Sequence, residues 1–519
     1  MDETANNQNH SGERSHEEIM VIIVALMLAM LLAALDQTIV ATALPRIATD
    51  LHGLNKLAWV ATAYLLTSAI STPLYGKISD QFGRKKIFQF AIVVFLIGSA
   101  LCGQARDMDQ LVAFRALQGL GAGGLMSLSM TIVGDVVSPR QRGKYLAYFG
   151  AVFAVSSVAG PLLGGFFTDS LSWRWVFYVN LPLGAIALSV IAARLHLPVR
   201  KSDKRIDYVG AVLLACSVIP IILATVWGGV TYPWGSTTII SLFAGGVLAA
   251  IVFGLWEHRA PEAIIPTNLF KNDIFRVSVI LSLLAGVALF AAILFIPEYQ
   301  QIVRGDSAVK SGLLLLPLVA GMLTTLIVSG RLITKWGHYR IFPIIGTLVT
   351  AFGVWLFSHL TLHTSQLTLS IWMVVVGAGV GMFLQVMTLA VQNSVPSDEL
   401  GIATASATFF RTLGSSLGGA VFGAILTNRL TYHLKQLIPH AGSLGASASS
   451  LSTSVETGAT PTFINKLPPS ISHDIYQAFV LSFHDMFLFA VPVLLIAFVA
   501  ALFLREVPLR NTTRGAEIT

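Results

Sequence analysis

The sequence predicts an all-α integral membrane protein, and three observations carry that class. Of 519 residues, 55% are hydrophobic and only 11% charged, with a mean hydropathy of +0.74. Soluble domains average about 25% charged residues, so lipid rather than water must cover most of this surface. Apolar runs near the ~20 residues that a bilayer demands recur along the whole chain. The basic residues gather in alternate connections between those runs, as they do in multi-span proteins. A pI near 9.4 and a net charge of +7 would otherwise suggest nucleic acid, but this placement argues against such a partner.

The runs follow in order. The first 18 residues are polar, and no small-residue cleavage site follows the first run, so residues 20–44 read as a retained span rather than a leader. Runs at 57–76 and 87–104 flank a burst of charge, and runs at 110–134 and 144–168 flank a basic connection. The run at 173–195 opens on aromatics; those at 207–227 and 237–256 follow a basic linker around Arg200, Lys201, Lys204 and Arg205. Runs at 275–297, 309–330, 341–360, 367–394, 402–427 and 478–504 bring the total to 14. Residues 428–477, rich in Ser, Ala and Gly, read as an outer excursion. An even number puts both termini on one side. If that side is cytoplasmic, the inner segments hold 22 Lys and Arg and the outer ones 9; intramembrane Arg115 and Arg411 complete the 33. That asymmetry predicts cytoplasmic tails at 1–19 and 505–519.

The charge burst GKISDQFGRKK at 76–86 is the most informative passage. Gly76, Asp80, Gly83, Arg84 and Lys85 sit where one run ends and the next begins, and glycine lets the chain turn there at low steric cost. The spacing returns 254 residues later, where Gly330, Thr334 and Gly337 follow the pattern of Gly76, Asp80 and Gly83. Gly119, Gly121 and Gly123 are matched in the same way by Gly377, Gly379 and Gly381, 258 residues on. Two matches at nearly one offset predict duplicated six-helix halves, 20–195 and 275–504, with a linker and two inserted helices at 196–274. Parallel halves around a midplane site are a standard transporter plan. Thr334 and His338 stand where Asp80 and Arg84 stood, so the halves are unequal.

Several residues are candidates for chemistry. Asp36 lies eight residues inside the outer end of its run, roughly 12 Å deep at ~1.5 Å per residue. A charged group at such depth costs on the order of 2.5–3.5 kcal/mol on insertion scales, which marks Asp36 as a candidate proton carrier. Arg115 lies at similar depth, and the two form either a pair that protonation releases or a fixed structural ion pair. Gly150, Gly160, Pro161, Gly164 and Gly165 give the fifth run a smooth, kinkable face, suited to a hinge or to close helix packing. Arg411 is the only mid-membrane cation of the second half. Gln37, Gln118, Gln385, Gln392 and Asn393 either line a cavity or tie helices together. Glu298, His484 and Asp485 near outer ends belong either to a proton path or to a solvated mouth. Trp59, Tyr64, Trp173, Trp175 and Tyr178 read as an interfacial aromatic belt.

Cys102 and Cys216 both fall in apolar runs and offer neither a disulfide framework nor a metal cluster. There is no catalytic constellation and no G-x-x-x-x-G-K-[ST] loop, which argues against an enzyme and against ATP as the energy source. An ion gradient remains, and titratable Asp36 favours protons.

From residue 20 to about 508 the chain resembles the 14-helix drug:proton antiporters of the major facilitator superfamily. The resemblance rests on LDQTIVATALP (35–45), the 76–86 loop, RALQGLGAGG (115–124), GAVFAVSSVAGPLLGGFF (150–167), WRWVFYVNLP (173–182) and LREVPL (504–509). The fifth-helix segment is similar to the motif associated with exporters. The resemblance implies two six-helix bundles plus two inserted helices, working by alternating access as a proton-coupled exporter of lipophilic, often cationic drugs. On this reading Asp36 and Arg115 couple protons, and Gly76, Asp80, Gly83, Arg84 and Lys85 form a cytoplasmic gate. Gln37, Gln118, Gln385 and Arg411 belong to a cavity. An exporter of one endogenous metabolite or siderophore on the same scaffold stays open, as does, further off, a non-transporting receptor. The expected partners are a small-molecule substrate and the lipid of a cell membrane, in a bacterial inner or plasma membrane. A monomer with no metal or cofactor other than the proton gradient is expected.

Overall fold

The computed structural model describes residues 16–53, 56–195, 206–229, 231–437, 464 and 468–509. The tail at 1–15, the linker holding Arg200, Lys201, Lys204 and Arg205, and most of the 428–477 excursion lie outside the described residues. Each of the 14 expected segments is helical. They are α1 (His16–Asp50), α2 (Leu57–Phe82), α3 (Arg84–Gln104), α4 (Met108–Val136) and α5 (Pro139–Ser170). A single turn, Trp175–Tyr178, leads into α6 (Asn180–Arg194). Then come α7 (Tyr208–Trp227), α8 (Thr237–Glu257) and α9 (Asp273–Ile302). A short helix, Ala308–Leu313, precedes α10 (Leu316–Trp336), followed by α11 (Ile341–Phe357), α12 (Gln366–Ser394), α13 (Leu400–Leu437) and α14 (Pro469–Leu502). Among the described residues, eleven helices are long and apolar enough to cross a membrane by length and composition, and α11 is a shorter apolar one.

Several helices overrun the apolar runs, because a helix keeps satisfying its own backbone until a cap or breaker stops it. α1 continues six residues past 44, and α13 and α14 extend to Leu437 and from Pro469. Both ends of the expected 428–477 excursion are therefore helical, a correction to its reading as a loop throughout. Helix starts are capped by local chemistry: Asp107 accepts from the Gln110 amide at 2.8 Å, and Asp207 from Gly210 at 2.8 Å.

The repeat predicted from glycine spacing is present in the backbone. Gly83 after α2 and Gly337 after α10 both turn at positive φ, +94° and +76°. Gly119 and Gly123 of α4 meet α2, while Gly121 meets α3; Gly377 and Gly381 of α12 meet α10, while Gly379 meets α11. A side chain at any of these would strike neighbouring backbone or a threonine or serine hydroxyl, so the glycines set the close packing of each bundle.

Equivalent helices make equivalent contacts. In the first bundle α4 packs on α2 and α3, and α1 on α5 and α6; in the second, α12 packs on α10 and α11, and α9 on α13 and α14. The bundles join along two seams, α2 against α13 and α5 against α10. α7 and α8 pack on each other, and α7 covers the first seam by touching both α2 and α13. Trp227 of α7 meets Trp59 of α2 edge to face at 5.4 Å. At the opposite end of this seam, Lys77 pairs with Glu262 at 3.0 Å.

Candidate functional site

Asp36 of α1 is fully buried, and α4 and α6 supply its partners. Arg115 Nη1 donates to Asp36 Oδ2; Gln118 Nε2 donates to Oδ1 at 2.7 Å, and Asn180 Nδ2 to the same oxygen at 3.2 Å. Arg115 also donates to Gln118 Oε1 at 2.8 Å and to the Val60 carbonyl at 3.3 Å, and its guanidinium lies 4.2 Å from the Tyr64 ring centre. Asn180 is held in turn by Ser99 Oγ, which accepts at 3.0 Å and donates to the Phe177 carbonyl at 2.8 Å. The pair read from depth in the sequence thus forms, inside a network spanning α1, α2, α3, α4 and α6. Its carboxylate is a buried charge with its opposite charge and two neutral donors in place, the only arrangement in which such burial is tolerable.

Gln118 ties α4 to α1 in this network, one of the two roles read for it. One reading needs correction here. Tyr64 and Trp173, read as an aromatic belt, are buried, because Tyr64 lies under Arg115 and Trp173 packs edge to face on Phe177 at 6.2 Å. Trp175 is 48% exposed and remains compatible with a belt. Asn180 was not singled out, although it sits in the WRWVFYVNLP segment; an asparagine between apolar neighbours at the start of a span was the available signal.

The 76–86 loop forms a second cluster. Asp80 Oδ1 accepts from the Gly401 amide at 3.1 Å and Oδ2 from Ile402 at 2.8 Å, which places the carboxylate on the first turn of α13 in the other bundle. Arg84 is 8% exposed, pairs with both Asp80 and Asp135, and donates to Ser79 Oγ at 3.1 Å. Lys85 reaches the Ala192 carbonyl at 2.7 Å. A β-carbon on Gly76 would lie 2.5 Å from that of Ala405, so α2 and α13 touch here only because Gly76 has none.

The pseudo-equivalent seam closes by other means. Gly330 of α10 approaches Gly143 of α5 so closely that an added β-carbon would sit 2.6 Å from the Gly143 carbonyl oxygen. Thr334, standing where Asp80 stood, offers its carbonyl to Arg140 Nε at 3.1 Å. Arg142 donates to the Gln392 carbonyl at 3.4 Å, and Gln392 Nε2 donates to the Met130 carbonyl at 3.0 Å. Asp135 meets Arg84, whereas Arg140 and Arg142 carry these carbonyl contacts. All of these bridges join the two bundles at the end that carries the 76–86 loop.

The α5 glycines divide by face. Gly150 abuts Leu326 of the other bundle, Gly160 abuts Thr38, and Gly164 lies against Ile39 and Thr42 of α1. Gly165 has nothing within 4 Å of a built β-carbon, so its expected part in a close-packed face is not realised. Thr38 Oγ1 donates to the Ser156 carbonyl at 2.9 Å, beside the point where Pro161 withdraws a backbone donor. Pro161 itself touches the short helix before α10, 3.5 Å from a β-carbon on Gly312.

In the second bundle, Gln385 is 4% exposed and neither polar end of its amide has a partner among the described residues. Arg411 is partly buried and makes no ion pair among the described residues. Gln37 is also partly buried. Asp485 of α14 is bound, at the end away from the 76–86 loop, by His433 at 2.9 Å and Arg429 at 3.6 Å of α13, and His484 faces the Ser358 carbonyl.

Residues 26–419 match the Major Facilitator Superfamily. The chain is 36% identical over 520 residues to the multidrug transporter protein MdtP of Bacillus subtilis, covering 96% of each. It is 36% identical to Multidrug resistance protein 3 of the same organism over 96% of this chain and 97% of that one. An uncharacterized MFS-type transporter of Mycobacterium tuberculosis is 40% identical over 96% of this chain and 71% of its own. Among solved structures, the proton:xylose symporter XylE superposes with a TM-score of 0.59 at 16% identity, covering 92% of this chain and 95% of that one. With its matched family model, its relatives and its paired six-helix bundles in agreement, the chain belongs to the Major Facilitator Superfamily of membrane transporters.

Proposed function

We propose that this transporter is a proton-coupled antiporter that exports lipophilic, often cationic compounds by alternating access. It acts as a monomer of 14 spans in the cell membrane, with both termini cytoplasmic. The observation that carries this reading is the hydrogen-bonded network around Asp36. Protonating Asp36 removes the charge that Arg115, Gln118 and Asn180 are arranged to hold, so α1, α4 and α6 lose their common tie and repack. A proton taken up from one side and released to the other thereby changes the relative stability of the two bundle arrangements, and a ligand can shift such an equilibrium only through that difference.

The loop cluster supplies the cytoplasmic gate. Asp80 on the α13 amides, with Arg84 behind it, is complete only when that end is shut. Support for lipophilic substrates comes from the named multidrug relatives and from a chain holding 30 Phe and 12 Met, which gives an adaptable apolar interior. Expression in an efflux-deficient host should raise tolerance to several unrelated lipophilic compounds, cationic dyes included, and collapsing the proton gradient should abolish it. A single hydrophilic substrate with no dye transport would favour the metabolite exporter instead.

A further inference from the structure

We infer that Arg411 and Gln385 form a subsite in the second bundle for an anionic or strongly accepting group of the substrate, such as a carboxylate. The inference rests on the export reading above and adds a polar requirement to it. Gln392 of α12 donates to Thr404 Oγ1 of α13 at 3.3 Å and also to the Met130 carbonyl of α4 across the interface, so that face of both helices looks toward the other bundle. From this contact the two helices run in opposite chain directions away from the gate. Seven residues back along α12 is Gln385, since 392 − 7 = 385; seven forward along α13 is Arg411, since 404 + 7 = 411. Seven residues are close to two turns, about 10.5 Å of rise, so positions 385 and 411 fall at one depth, in line with Gln392 and Thr404 on their own helices.

Neither is partnered among the described residues. Gln385 leaves a donor and an acceptor unmet, and Arg411 has no counter-charge. Gly286 of α9 packs on the Arg411 carbonyl, and the next stretch of α9, residues 288–294, is wholly apolar in sequence. The nearest acid on that helix, Glu298, lies 298 − 286 = 12 residues further, about 18 Å along the axis. Buried Asp36 of the first bundle is committed to Arg115. A guanidinium in this position binds a planar anion with two parallel hydrogen bonds, and Gln385 can donate one more.

The test uses the full-length protein and a matched pair of xanthene dyes, one a free carboxylic acid and the other its methyl ester. Binding is read by anisotropy in detergent and export in proteoliposomes. Arg411→Gln should weaken binding of the free acid about tenfold or more while changing the ester less than about threefold. Arg411→Lys should recover part of the loss, and Gln385→Ala should repeat it in weaker form for the acid alone. Equal loss for both dyes, or none for the acid, overturns the subsite. Wild-type protein that binds the acid through Arg411 yet exports neither dye would overturn the export reading and leave the subsite standing.

Discussion

The Asp80 carboxylate accepts the Ile402 amide at 2.8 Å across 322 positions of sequence, placing a charge from the first bundle on the opening turn of a helix in the second. A helix N-terminus carries unsatisfied N–H groups and a partial positive charge, so an anion there is stabilised twice. The contact ties α2 of one bundle to α13 of the other. Thr334, at the matching place in the second bundle, has no charge to offer and contributes its carbonyl instead.

Asp80→Asn should slow turnover more than it weakens substrate binding. Hydrogen bonds to a charged group are worth about 1.5–3 kcal/mol, so a turnover loss of about tenfold or more is expected. Steady-state efflux in proteoliposomes separates the two effects; unchanged turnover with lost binding would remove Asp80 from the gate.

Asp36→Asn should abolish efflux driven by a pH gradient while substrate-for-substrate exchange survives. The amide also leaves Arg115 without its counter-charge, and removing one member of a buried pair costs about 3–5 kcal/mol, so thermal stability should fall. Normal gradient-driven transport by this variant would show that protons couple elsewhere.

Gly76→Val should hold the gate open, since even a β-carbon at this site would crowd Ala405 and the Gly401 carbonyl. The readout is alkylation of a cysteine placed at the gate, which should label faster than in the parent protein. Unaltered labelling would mean that the α2–α13 seam accommodates the side chain.

Along α5, Gly160→Ala and Gly165→Ala should part company. The first drives a methyl into Thr38 and should destabilise the protein; the second meets open space and gains helix propensity of up to about 1 kcal/mol. Melting temperatures in detergent that moved in the same direction would contradict the packing described.

Much of this molecule was legible before any fold was known. The apolar runs, the basic connections and the turn glycines are local or periodic signals, and each reports an interaction of the chain with lipid, water or its own backbone. Gly83 and Gly337 show how far this reaches, since one spacing found twice predicted two turns that both adopt positive φ. Depth along two helices likewise brought Asp36 and Arg115 to one level.

Partnership across the fold was decided only by the tertiary structure. Asn180, Ser99 and Tyr64 join Asp36 and Arg115 because α2, α3 and α6 pack beside α1 and α4, which helical periodicity does not encode. Asp80 could have met Arg140 or Arg142 by charge alone; it meets backbone amides because Gly76 lets α2 lie against α13. Charge and depth restrict which groups need a partner. Only close packing between segments hundreds of residues apart selects which partner each receives.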